Sequence, residues 1–128
     1  MAEDFDFEIK FYEGIIERKP DFIEALSALG DLYTKKGLFE QGLKIDQRLA
    51  ALRPDNDLIL YNLACSYSLT NNLDASLQTI KKAIECGYRD FRFLEKDNDL
   101  VNLRRDSRFQ EFWTSLKTRH QVDPQKKA

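Results

Sequence analysis

The residues able to carry chemistry in this chain are few, and their spacing does not assemble a reaction centre. One histidine, His120, stands near the C-terminus in a polar stretch. A general base needs a structured setting and an orienting partner, and that stretch supplies neither. Cys65, Ser66 and Ser68 are the candidate nucleophiles, with no histidine beside them. Cys65 and Cys86 are in neither a CxxC nor a metal-ligand spacing and read as two small, mostly buried thiols. The acidic stretches "RPDND" and "DNDL" fall where Asp and Asn cap helices, and they lack the spacing and closing Glu of a calcium loop. There is no glycine-rich phosphate loop, HExxH pattern or zinc pattern. The expectation is a chain that is not an enzyme and takes no cofactor or metal.

The elements that must position any binding residue are helical. The chain has 128 residues, 42% hydrophobic and 33% charged, with only 5 Gly and 3 Pro. That is one domain's length and a helix-rich composition. A domain of this size buries roughly 65–70% of the surface its unfolded chain exposes, enough for a core. Net charge is −2, and the nearest thing to a basic patch, Arg104, Arg105 and Arg108, has Asp106 inside it. A nucleic-acid partner is therefore not expected. The start, "MAEDFDFEIKFYEGII", lacks the basic and apolar regions of a secretory signal. No apolar run approaches the roughly 18 residues that cross a bilayer. The expectation is a cytoplasmic chain with no membrane partner.

The chain also repeats itself. Pro20-Asp21 and Pro54-Asp55 are 34 residues apart, and so are Leu29-Gly30 and Leu63-Ala64, Tyr33 and Tyr67, Phe39 and Leu73, and Leu43 and Leu77. One copy runs over 23–56 and the next over 57–90. Each holds two stretches with apolar residues at spacings of three, four and seven, the signature of paired amphipathic helices. Gly37 and Asn71-Asn72 break each pair, and Gly87 closes the second.

Leu26, Leu29-Gly30, Tyr33, Gly42, Leu49 and Pro54 in the first copy resemble the tetratricopeptide repeat, as do Leu60, Leu63-Ala64, Tyr67, Ser76, Ile80 and Ala83 in the second. Asp46 stands where the first copy would carry an aromatic residue. The resemblance implies an all-α, right-handed solenoid of antiparallel helix pairs. Small residues at Gly30, Gly42, Ala64 and Ser76 would let the helices approach.

Both ends depart from the repeat. Residues 5–19 read as the second helix of a preceding repeat whose first helix is absent. Its apolar residues spread over about 200° of the helix, more than one packed stripe needs. Phe7, Phe11 and Ile15 form one flank; Ile9, Tyr12 and Ile16 form the other. With one flank on the first repeat, the other is open, so Phe7, Ile9, Phe11, Tyr12 and Ile16 are candidates for self-association as a homodimer. Residues 91–117 read as a truncated repeat and a cap. Asp97-Asn98-Asp99-Leu100, Leu103-Arg104 and Asp106-Ser107-Arg108-Phe109 resemble the closing segment of many tetratricopeptide proteins. Ser107 to Gln110 reads as a capping box, and Phe109, Phe112 and Trp113 would cover the open apolar end. Residues 118–128 read as a frayed tail.

What the resemblance implies about function is binding of a protein or peptide in the concave groove formed by the first helices. Its residues would be Ser27 and Asp31 from the first repeat, Leu58, Tyr61, Asn62, Cys65 and Leu69 from the second, and Arg92 and Lys96 from the third. Two alternatives accompany this adaptor reading: a self-associating scaffold joined through the N-terminal helix, and a degenerate clamp for a chaperone's C-terminal carboxylate. The clamp would use Asn62, Arg92 and Lys96, but Asp31 stands where a donor is required.

Overall fold

The computed structural model of the chain describes residues 4–120. Eight α-helices follow one another among them: α1 (Asp6–Arg18), α2 (Ile23–Lys35), α3 (Phe39–Leu52), α4 (Asp57–Leu69), α5 (Leu73–Glu85), α6 (Phe91–Lys96), α7 (Val101–Arg104) and α8 (Ser107–His120), with a single 3₁₀ turn at Asn98–Leu100. The pairs α2–α3 and α4–α5 are the two copies of the repeat, and α3 also packs on α4. The result is an all-α solenoid of the tetratricopeptide type.

The turns show how a local sequence signal becomes a bend. After α2 the chain passes through Gly37 at φ +85°. Its N–H donates to the Thr34 carbonyl, and the next N–H, of Leu38, donates to Tyr33. These are the two bonds of a Schellman motif, which needs a left-handed residue. After α4, 34 positions on, Asn71 takes φ +64° and the same two bonds run to Ser68 and Tyr67. Asn is the residue other than Gly that tolerates this conformation best. Gly87 repeats the motif a third time after α5.

The close approach within each pair also follows the residue types. A Cβ on Gly30 would lie 3.0 Å from Asp46 Oδ1 and 3.3 Å from Ile45 Cγ2; one on Gly42 would lie 3.0 Å from Thr34 Oγ1. In the second copy, Ser76 stands where Gly42 does and is fully buried. Its hydroxyl donates to the Ala64 carbonyl at 2.7 Å.

Two apolar clusters result. The first joins Leu26, Leu29, Tyr33, Ile45 and Leu49 to Ile9 of α1. The second runs from Leu60 and Ile80 to Leu100, Leu103, Phe109 and Trp113. At the C-terminal end, Phe91 meets Trp113 edge-on at 5.3 Å, and Phe109 stacks on Trp113 at 5.7 Å. The Trp113 indole N–H donates to Glu95 at 2.7 Å. Asn102 and the Leu103 N–H bond the Ser68 carbonyl and hydroxyl, fastening α7 to the end of α4.

Three expectations change at the ends. Ile9, Tyr12 and Ile16 are not open to a second chain: Ile9 is buried, and Tyr12 and Ile16 pack on the first cluster. That flank is the one laid on the first repeat, which leaves Phe7 and Phe11 outside. The start of α8 is capped by Asp106 rather than Ser107. Asp106 Oδ1 accepts the Arg108 N–H at 2.8 Å, and Gln110 turns its amide to the Arg104 carbonyl. Bonds to Arg108 hold the Asp106 carboxyl down at about 2. The helix then continues past Thr118 to His120, so the frayed tail does not begin at 118; residues 121–128 lie outside the described residues.

Candidate binding groove

The first helices α2, α4 and α6, with the turn after α6, surround a cavity of about 250 Å³. Ser27, Gly30, Asp31 and Thr34 line it from α2; Tyr61, Asn62, Cys65, Ser66 and Leu69 from α4; Phe93, Asp97 and Asp99 from α6 and its following turn. Asp46 and Leu49 of α3 form its floor with Ile59. Thus Ser27, Asp31, Tyr61, Asn62, Cys65 and Leu69 come together. Leu58, 61% exposed, stands outside the lining, as do the exposed Arg92 and Lys96. α6 has only six residues before Asp97 leaves helical geometry at ψ 119°. The groove there is made by Phe93 and the aspartates of the turn, not by the two cations.

The floor is an arrangement that residue types alone do not disclose. Asp46 is 34 positions before Ile80 and shares its place in the repeat, yet it is a buried carboxylate. The Ser66 hydroxyl donates to Asp46 Oδ2 at 2.5 Å. Burial pushes the Asp46 carboxyl up to about 6; the Ser66 bond pulls it back part way, and the charge of Asp31 pushes it further up. On the opposite wall the Tyr61 hydroxyl donates to Asp97 Oδ2 at 2.7 Å, and the Cys65 thiol reaches the same oxygen at 3.7 Å. Tyr61 also stacks on Tyr88 at 4.3 Å. Both Tyr61 and Cys65 are therefore buried wall, not open surface. Burial, reinforced by Asp97, pushes the Cys65 thiol well up, which keeps it protonated and unreactive. Asp99 is raised by burial and by Asp97.

Four carboxylates, Asp31, Asp46, Asp97 and Asp99, thus face one cavity that no Lys, Arg or His lines. Lys35 pairs with Asp31 at 3.0 Å on the helix surface. The sequence places Asp97 and Asp99 at a helix boundary as caps, a role Asp97 does perform toward the Asp99 N–H. It marks Asp46 only as a departure from the repeat. The signal available for Asp46 was that departure: a carboxylate at a position the period makes apolar. The side chain of His120 lies outside the described residues. Among the described residues, no group of three His, Cys, Asp or Glu is placed to hold a metal ion, and no helix is long and apolar enough to cross a membrane.

Paired helices in a 34-residue period, Schellman turns in register and small residues at the crossing define a solenoid of the tetratricopeptide type, a fold whose repeats generally mediate protein–protein interaction. Residues 58–85 match the tetratricopeptide repeat family directly. The chain is also similar to a chloroplastic protein of Arabidopsis thaliana, with 30% identity over 104 residues. The match takes in 79% of this chain and 30% of that protein, so the chain spans less than a third of the length of the curated relative it matches.

Proposed function

We propose that the chain is a non-catalytic adaptor that holds a protein or peptide partner in this groove, and that the partner presents a lysine or arginine side chain to it. The observation that carries the reading is the cavity between the first helices, with four carboxylates in its lining and no cation among them. Tyr61 and Ser66 hold Asp97 and Asp46 in place before any partner arrives, which reduces the ordering cost of binding. Phe93, half exposed at the rim, offers an aromatic face to the stem of a long cationic side chain. The same lining disfavours the carboxylate-clamp alternative, since a second carboxylate would meet like charge. The unpaired thiols Cys65 and Cys86 suit the reducing interior, the cytoplasm, that the sequence suggests.

An array of extended peptides that vary in lysine and arginine content tests this. Selective retention of basic peptides that weakens with salt is expected, with loss of retention in Asn62→Ala/Asp99→Asn chains that keep their helical circular dichroism. Equal retention of acidic and basic peptides, or binding unchanged in that variant, would overturn the reading.

A further inference from the structure

A second surface lies at the N-terminal end and is independent of the groove. α1 is in register with α3: Phe11 stands 34 positions before Ile45, and Pro20 stands 34 before Pro54. In the complete repeat, Ile45 packs beside the small residue Gly30 of the first helix. Among the described residues, α1 has no first helix of its own to pack against. Phe7 is therefore 80% exposed and Phe11 56%. Next to them, Phe11, Gly14, Ile15, Arg18, Lys19 and Phe22 line a depression of about 390 Å³. Gly14 sits inside the helix with open space where a Cβ would go. A mid-helix glycine costs about 1 kcal/mol relative to alanine, and no contact among the described residues calls for it.

We propose that this face is covered by α1 of a second copy of the chain, antiparallel, about a two-fold axis passing between Phe11 and Gly14. In that register Phe11 of each copy lies over Gly14 of the other, repeating the contact of Ile45 with Gly30. Phe7 of each copy enters the depression near Arg18 of the other. Every copy then offers both a projecting ring and a hollow, the self-complementarity an isologous interface requires. The charges select the direction. The first turn of α1 is acidic, with Asp6 and Glu8 after Asp4, and its end is net basic, with Arg18 and Lys19 following Glu17. Antiparallel packing sets the acidic end against the basic one, whereas parallel packing sets like on like. Asp6 is engaged by Lys36, but Glu8 and Arg18 take part in no salt bridge among the described residues.

Sedimentation equilibrium of the full chain from micromolar to millimolar concentration tests the proposal. The mass should rise from 15.0 kDa toward twice that value, and salt should weaken association. Phe7→Asp should weaken association at least about tenfold, by putting a charge into an apolar contact, with its melting temperature unchanged in dilute solution. Asp4→Lys/Glu8→Lys and Arg18→Glu/Lys19→Glu chains should each stay monomeric alone and associate when mixed. A strict monomer over the whole range, a dimer that Phe7→Asp leaves intact, or a mixture that does not associate would overturn the proposal. A strict monomer would also leave the face to a different protein.

Discussion

The two halves of the molecule are written on one 34-residue pattern and finished differently. In the half from α4 to α8, the repeat's inner positions are filled as the pattern asks. Ile80 is fully buried, Ser76 bonds a helix carbonyl, and Phe91, Phe109 and Trp113 close the open end. In the half from α1 to α3, Asp46 takes the place equivalent to Ile80, and the end presents Phe7 and Phe11 to solvent. The difference teaches how each end is treated. The second half covers its apolar end with its own rings, whereas the first half leaves Phe7 and Phe11 uncovered at its end.

The largest expected effect belongs to the closed end. Trp113→Ala removes the ring between Phe91 and Phe109 and the bond to Glu95, and should destabilise the fold by about 3–5 kcal/mol in urea unfolding. A loss below about 1 kcal/mol would show that the cap does not carry that half. The second effect belongs to Asp46. Its carboxyl is raised from the ordinary 3.8 to about 6 in the fold, so the folded state binds the proton more tightly than the unfolded one. Its contribution is present below about 4, is lost as pH rises through about 6, and totals on the order of 3 kcal/mol. Asp46→Asn should flatten that part of the stability profile between pH 4 and 6, read from urea midpoints at each pH. An unchanged slope would mean that Asp46 titrates as an ordinary surface acid does.

The third test compares the halves at one shared position. Gly37→Ala and Asn71→Ala each force a left-handed residue to carry a Cβ without the local bonding of Asn. Each should cost about 1–2 kcal/mol, whereas Gly37→Asn should cost less. A large disparity between the two alanine variants would show that the halves do not share the turn's energetics. The smallest effect on stability is expected at the open end. Phe11→Ser should shift the unfolding free energy of dilute protein by less than about 0.5 kcal/mol. A larger loss would mean that Phe11 is supporting its own chain and that the two ends differ less than their exposures indicate.

Much of the fold was legible because its signals are local. The Leu-Gly and Tyr spacing, the turn residues Gly37, Asn71 and Gly87, and Pro20 and Pro54 act within a few residues of where they stand. The groove was legible in part. Ser27, Asp31, Asn62 and Leu69 were placed on the inner face by the resemblance to the tetratricopeptide repeat. The resemblance could not show that Arg92 and Lys96 would stand outside the cavity, nor that Tyr61 would be drawn into the wall. Asp106 displaced Ser107 as the cap because one residue of helix extension changes which side chain meets the free N–H groups.

By itself, then, the sequence determined the helix pairs, their period and the positions of their turns, since backbone conformation and apolar spacing are properties of short segments. Only the tertiary structure decided the character of the two surfaces. Asp46 is held by a hydroxyl 20 positions away and Asp97 by one 36 positions away, and their burial depends on every helix around the cavity. Which flank of α1 is covered was likewise settled by α2. A charge's environment and a ring's exposure are set by what packs beside them, and packing joins residues that the chain keeps far apart.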